Sequence, residues 1–426
     1  MRNLILKNGI VISPDENIES KKDIKIFDGK IVEISDCIEE TENFEVKDIS
    51  GLYVSSGFVE MHSHMRDLGQ SAKETLETGL QSAIAGGYTA VCAMPNTNPI
   101  VDNPLVFRTL QEKAKECSEL EFHQFSAITK GLDGKEIVDF SGMQNAGVVA
   151  FSDDGRPVED MSILKSVFEL ASELDTLVVL HSEDSSLAKG GVINEGKISS
   201  KYGLKGISGL AESVAIAREL EVLRYVPKAR VHFAHISTKR SVELIRQAKQ
   251  EGLSVTAETA PHYFSLIDED IEPYEARFKM NPPLRSQADK EAIIEGLQDG
   301  TIDVIATDHA PHTVVEKCGL IQTAPMGIVG LETAFGLTVT NLVNKGYISL
   351  SKAISLLACN PARILKLNNQ GKLNLGNISN LSVFDLNRKW KVQASEFKTK
   401  SKITPFEGME LTGKVEFVVI NGRICN

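Results

Sequence analysis

Gly57–Gly69 reads GFVEMHSHMRDLG, and the interpretation of this stretch decides the fold. Phe58, Val59 and Met61 are apolar and lead directly into His62-Ser63-His64, with Arg66 two residues further on. On a strand successive side chains alternate faces, so residues i and i+2 point the same way. A strand running on through this stretch therefore sends His62, His64 and Arg66 in one direction. Its two imidazoles, about 7 Å apart along the strand, can converge on one metal ion. Imidazole suits zinc and similar divalent metals. A lone HxH is more often a pair of structural histidines, so the reading depends on what else the chain brings to that end of the strand.

From residue 52 onward, short apolar runs alternate with helical stretches. Eight runs span 58–64, 88–96, 121–128, 147–154, 177–184, 230–238, 254–262 and 304–312. Helical patterns occupy 72–85, 104–118, 158–174, 211–224, 238–251 and 287–298, and later 329–344 and 350–366. Nearly continuous apolar strands separated by helices predict an α/β fold with a parallel sheet covered on both faces. Eight such units predict a (β/α)8 TIM-like barrel over residues 52–370. No Gly-rich loop opens the first unit, which argues against an open dinucleotide-binding sheet. Residues 1–51 and 371–426 read instead as short strands. Asp28-Gly29 lies between alternating runs and is a hairpin signal; 381–385 and 414–420 are similar runs near the other end. The two chain ends are expected to pair into one small β-sandwich.

The 42% hydrophobic and 24% charged content fits a globular chain with a large core. A net charge of −12 argues against nucleic acid or anionic membrane as a general partner, and no apolar run is long enough to span a bilayer. The N-terminal stretch is interrupted by Lys7 and Asn8 before a secretory signal can form. Cys37, Cys92, Cys117, Cys318, Cys359 and Cys425 form no CxxC pair, so reduced thiols and a cytoplasmic location are the expectation.

Polar groups collect at the C-terminal ends of the runs, the face on which barrels build active sites. They are His62 and His64, Asp153 and Asp154, His181, His235 and Asp308. Such a set can hold one metal, or two about 3.5–4 Å apart if a carboxylate such as Asp154 bridges them. A bound divalent metal brings the pKa of its water to about 7 and polarises a carbonyl. Asp308 can then carry a proton from the attacking water to a leaving nitrogen. The chemistry indicated is hydrolysis of an amide-like C–N bond and, in reverse, ring closure. His232, His262 and His309 are assigned to packing. Residues 313–327 follow His312 at the same mouth, with Gly319 and Gly327 as pivots. They read either as a lid or as an ordinary ordered surface loop, with Met326 and Gly327 expected to line the pocket.

GFVEMHSHMRDLG, MPNTNPIVD at 94–102, FSDDGRPV at 151–158, HSED at 181–184, HISTK at 235–239, KMNPPLR at 279–285 and ATDHAPHTVVEK at 306–317 together resemble the dihydroorotases of the class I bacterial type, in the amidohydrolase superfamily. The resemblance covers the whole chain. It implies metal ligation by His62, His64, Asp154, His181, His235 and Asp308, with one or two zinc ions per chain. Many relatives carry a carbamylated lysine after the fourth strand; this chain has no lysine there, and the resemblance favours the second aspartate, Asp154. It further implies that Arg66, Asn96 and His312 hold a substrate carboxylate, that His64 also contacts substrate, and that Asn281 approaches a pyrimidine ring. The implied reaction interconverts N-carbamoyl-L-aspartate and dihydroorotate. The implied partners are a second copy of the chain and aspartate carbamoyltransferase. A hydantoinase or allantoinase is the alternative of like chemistry, and a catalytically inactive partner of aspartate carbamoyltransferase is the alternative of another class. Ser63, Met65 and Leu68 depart from the residues commoner in relatives and spare every proposed ligand.

Overall fold

The computed structural model describes residues 3–272 and 274–426. The chain opens with β1 (Leu4–Ser13), β2 (Ile18–Phe27), β3 (Lys30–Ser35), β4 (Glu45–Asp48) and β5 (Tyr53–Ser56). It continues with β6 (Phe58–Ser63), β7 (Tyr88–Ala93), β8 (Glu121–Gln124), β9 (Ala150–Ser152), β10 (Leu177–Leu180), β11 (Ile193–Asn194), β12 (Gly206–Ile207), β13 (Arg230–Phe233), β14 (Val255–Thr259) and β15 (Val304–Ile305). It closes with β16 (Leu381–Lys391), β17 (Glu410–Ile420) and β18 (Arg423–Cys425).

Strands from both chain ends share one eight-stranded sheet, ordered β18-β17-β16-β5-β1-β2-β3, with β4 added beside β1. The junction is the antiparallel pair β5–β16, in which Val54 faces Val383. Leu4, Leu6, Val11, Ile24, Leu381, Val383 and Val419 form a single apolar cluster across it. The Asp28-Gly29 turn has φ of 48° and 76°, the left-handed pair that matches the twist of a tight hairpin. β5 lies within the segment read from sequence as barrel, yet its hydrogen bonds belong to this sheet, because it pairs with β1 and β16.

The middle of the chain is α/β with parallel pairing, as the alternation of runs predicts. β6-β7-β8 form one sheet and β9-β10-β13-β14-β15 another. β6, β7, β9 and β10 are buried at every position, which explains why they read as continuous apolar runs rather than alternating ones. Single parallel bridges join Ser126 to Phe151 and Ser63 to His309. Helices follow the strands and start on side-chain caps: Thr75 for Leu76–Ala85, Asn103 with Pro104 at the first position for Pro104–Cys117, and Ser286 for Gln287–Asp299. Among the described residues no helix is long and apolar enough to cross a membrane.

Candidate metal-dependent active site

Each strand-end group reaches the same mouth by its own local route. β6 ends at Ser63, so the alternation expected to carry Arg66 does not persist that far. Instead Arg66 has φ of 57°, and this turn delivers its side chain to the cavity. His235 and Asp308 also have positive φ, 34° and 48°. Left-handed backbone is uncommon outside glycine, more so for Arg than for His or Asp, and it concentrates where a site requires it.

Two triplets of side chains offer ligand atoms close enough to hold a cation: His62, His64 and Asp154, and Asp154, His181 and His235. They share Asp154. His62 Nε2 lies 3.4 Å from Asp154 Oδ1, and His64 Nε2 lies 3.4 Å from Oδ2. His181 Nδ1 and His235 Nε2 lie 3.5 and 3.6 Å from Oδ1. Asp308 Oδ1 completes the ring, 3.2 Å from His64 Nε2 and 3.6 Å from His62 Nε2. His62 Nε2 and Asp154 Oδ1 are buried and make no hydrogen bond among the described residues. Buried polar atoms are rarely left so, and a cation between them satisfies both. The donor set of imidazoles and carboxylates fits a divalent metal.

The neighbouring aspartates have separate fates. Asp153 accepts the N–H groups of Ile128 (2.7 Å) and Thr129 (3.1 Å) and the Thr129 hydroxyl, which pins the turn, and burial pushes its carboxyl up to about 6. Asp154 faces the histidines. Burial pushes its carboxyl up, but His62, His181 and His235 outweigh that and hold it well below the usual carboxylate range. Asp308 behaves alike: burial raises it, and His64, His62 and His235 lower it further.

Around the ligands, hydrogen bonds fix which imidazole nitrogen is free. His64 Nδ1 donates to Asn96 Oδ1 (2.9 Å), and His62 Nδ1 donates to Glu258 Oε1 (2.5 Å). In both cases Nε2 is left to ligate. Glu258 Oε2 accepts His232 Nε2–H (3.1 Å), and His232 Nδ1 pairs with the Thr256 hydroxyl (2.7 Å). Glu60 accepts the backbone N–H of His62 (2.8 Å) and of Thr307 (3.0 Å), joining the chain beside two candidate ligands. Sequence reasoning missed Glu60 and Glu258 and treated His232 as mere packing. The available signal was a lone carboxylate inside an otherwise apolar strand run.

A cavity of about 250 Å³ opens over the cluster, lined by His64, Arg66, Asn96, Asn281, His312, Met326 and Gly327 together with ligand side chains. Arg66 Nε donates to the Pro311 carbonyl (3.2 Å), leaving its terminal nitrogens for the cavity. Burial pushes the guanidinium down to about 10, opposed by Asp308 and Asp154. His312 is more committed than expected. Its Nε2 donates to the Met326 carbonyl (2.7 Å), and its Nδ1 faces Lys73 Nζ (3.4 Å). Burial, Arg66 and Lys73 bring its pKa down to about 3, so the ring is neutral at pH 7.

The 313–327 segment carries a short helix, Val314–Lys317, capped by Thr313. Lys317 Nζ donates to the carbonyls of Ala276 (3.0 Å) and Lys279 (2.9 Å), and Lys279 Nζ to the Gln322 carbonyl (3.0 Å). His309 is buried and accepts the Gly330 N–H at Nδ1 (3.2 Å), a packing role.

A family profile for dihydro-orotase-like proteins matches residues 51–241. The dihydroorotase of Ruminiclostridium cellulolyticum is 45% identical over 419 residues, 98% of this chain and 97% of that protein. The dihydroorotase of Acetivibrio thermocellus is 43% identical over 421 residues, 99% of this chain and 98% of that protein. Among solved structures, the L-hydantoinase (dihydropyrimidinase) of Arthrobacter aurescens superposes with a TM-score of 0.88 at 27% identity, covering 100% of this chain and 96% of that one. A D-hydantoinase at 23% identity, covering 99% of this chain and 95% of that one, shares the fold with a TM-score of 0.87.

Proposed function

The chain belongs to the dihydroorotase family, a family of cyclic amidohydrolases, and we infer that it interconverts N-carbamoyl-L-aspartate and dihydroorotate in pyrimidine biosynthesis. The observation that carries the reading is the pair of buried triplets sharing Asp154, beneath a cavity that Arg66 lines.

We propose that His62, His64, Asp154, His181, His235 and Asp308 hold metal. The imidazole-rich set favours zinc, and the two triplets, which share Asp154, would hold up to two ions. When bound, a divalent cation supplies Lewis acidity, making water nucleophilic near neutral pH and polarising the carbonyl. Asp308, kept ionised by the surrounding histidines, takes the proton from the attacking water and hands it to the departing ring nitrogen; cyclisation runs the transfer backwards. The planar fork of Arg66 suits a bidentate grip on the substrate carboxylate. Asn96 spends Oδ1 on His64 and its Nδ2 lies 3.5 Å from the Asp154 carbonyl and Oδ2, so its amide hydrogens are shared between Asp154 and that carboxylate. His312, with Nε2 engaged by Met326, shapes the carboxylate end as a neutral ring. Met326 and Gly327 wall the cavity on that side, and Asn281 faces the ring.

The two isolated bridges, Ser126 with Phe151 and Ser63 with His309, support reading the two parallel sheets as one closed (β/α)8 barrel. The apolar cluster shared by both chain ends supports a β-sandwich, with its N-terminal part extended through Ser56. A homodimer, association with aspartate carbamoyltransferase and a cytoplasmic location rest on the family resemblance; light scattering of the purified chain, with and without the transcarbamoylase, checks the first two.

The test is a spectrophotometric assay of dihydroorotate loss with zinc measured on the same sample. Wild type is expected to carry one to two equivalents, and His62→Ala to lose metal and turnover together. A variant keeping both sinks the site assignment. The hydantoinase likeness in fold makes hydantoin the control substrate. Equal turnover of a carboxylate-free hydantoin by wild type overturns the dihydroorotase reading, since it leaves Arg66 no role.

A further inference from the structure

Glu183 has no part in the scheme above, yet it joins two components of the site. Its Oε2 accepts Asn281 Nδ2–H at 2.9 Å, and its Oε1 lies 4.0 Å from His181 Nε2. A carboxylate offers acceptors only. The end of the Asn281 amide that faces it must therefore be the NH2, and the planar amide turns Oδ1 the opposite way. Asn281 lines the cavity, and Oδ1 is buried with no hydrogen-bond partner among the described residues. A neutral side chain facing the amide would leave both orientations open, because the amide could present either end to it. Charge at Glu183 removes that freedom.

We propose that Glu183 is a positioning residue: it locks the Asn281 amide so that a carbonyl-type acceptor faces the bound ring, selecting a ligand that presents an N–H there. The inference rests on the dihydroorotase reading, in which Asn281 faces the ring. It adds a specificity device, since a cyclic ligand with N-methyl or a ring oxygen at that edge has no donor to offer and leaves Oδ1 unsatisfied. Glu183 acts on the ring through Asn281; its second oxygen, 4.0 Å from His181 Nε2, lies beyond a hydrogen bond but within ion-pair reach of that imidazole.

Steady-state kinetics with dihydroorotate on Glu183→Gln, Asn281→Ala and the double variant test the proposal, with metal content and thermal midpoint measured alongside. Glu183→Gln keeps the shape of the side chain and can either donate or accept. It is expected to raise KM about tenfold, the scale of one directed hydrogen bond, with kcat and metal content within twofold of wild type. Asn281→Ala should raise KM at least as far, and adding Glu183→Gln to it should change KM no further. Additive effects, an unchanged KM in Glu183→Gln, or loss of metal without a change in KM each overturn the proposal. Wild-type turnover of dihydroorotate, measured in the same series, tests the underlying reading separately; its absence overturns both.

Discussion

In the sheet built from the chain ends, Asp23 is buried and both its oxygens are used, accepting the N–H groups of Asn8 (2.8 Å) and Ile38 (2.9 Å). At the mouth of the parallel strands Asp154 is equally buried, but its Oδ1 has no hydrogen-bond partner among the described residues. Backbone conformation divides the same way. In the terminal sheet positive φ falls on Asn8, Asn17, Asp28 and Asn421, residue types that tolerate it in turns. At the mouth it falls on Arg66, His235 and Asp308; Asp and His tolerate this region and Arg does not, and each side chain has chemistry to deliver. A carboxylate completing a backbone network stabilises the fold, whereas one with an unbonded oxygen among histidines could hold a cation.

The largest effect that can break this contrast comes from Asp308→Asn. His62, His64, Asp154, His181 and His235 remain as ligands, so most of the metal should stay. The proton carrier is lost, and turnover should fall by about 10²–10⁴-fold, the usual worth of general acid–base catalysis. Ring opening and ring closure must fall together because they share a transition state. Metal analysis and assays in both directions check this; a metal-loaded variant with near wild-type turnover leaves Asp308 a ligand only.

Next in size is Glu258→Gln. The buried carboxylate orients His62 from behind (2.5 Å) and is itself held by His232. Losing its charge should weaken metal affinity by about 10–100-fold, read by chelator competition on the purified protein. Affinity within twofold of wild type would leave Glu258 a structural group.

How much of this was legible in the sequence follows from the same contrast. Strand-end groups could be collected because each sits at the end of a run whose apolar character is local: His181 ends LVVL and His235 follows VHF. Pairings across the interior could not. His62 and Glu258 stand 196 residues apart, and period alone does not say which buried acid meets which imidazole. Arg66 was assigned to the right cavity for the wrong reason, since a left-handed turn rather than strand alternation brings it there. β5 and β6 are both apolar and only Gly57 separates them, so periodicity does not announce that β5 pairs with β1 and β16. The 185–207 insertion, with its short helices and the β11–β12 pair, has no strong periodicity to announce it.

A smaller effect tests the stabilising side. Asp23→Ala leaves the Asn8 and Ile38 amides without their acceptor, at a cost of about 1–3 kcal/mol for each that stays buried. The thermal midpoint should drop while metal content and KM are unchanged. A loss of metal in this variant would show the two regions to be coupled.

The smallest effect concerns a buried charge that belongs to neither region. Lys317 is 5% exposed, and its ammonium is held by the carbonyls of Ala276 and Lys279. Burial pushes its pKa down to about 7; Lys279 lowers it further and Glu316 opposes. In the opened segment it returns toward the ordinary lysine value of about 10.4. Between those values the open form binds more protons than the closed one, so stability of the closed segment rises with pH. Below about pH 7 both forms are charged, and the burial penalty is felt in full. Cleavage within 313–327 should therefore slow as pH rises from 7 to 9, after correction for the protease's own profile on an unfolded peptide. Lys317→Met should flatten the dependence, because no ammonium is then desolvated on closing. Bound substrate analogue should slow cleavage further if the segment acts as a lid. Cleavage that quickens with pH, or a dependence that survives Lys317→Met, would remove Lys317 as the titrating anchor and leave the carbonyl contacts as ordinary packing.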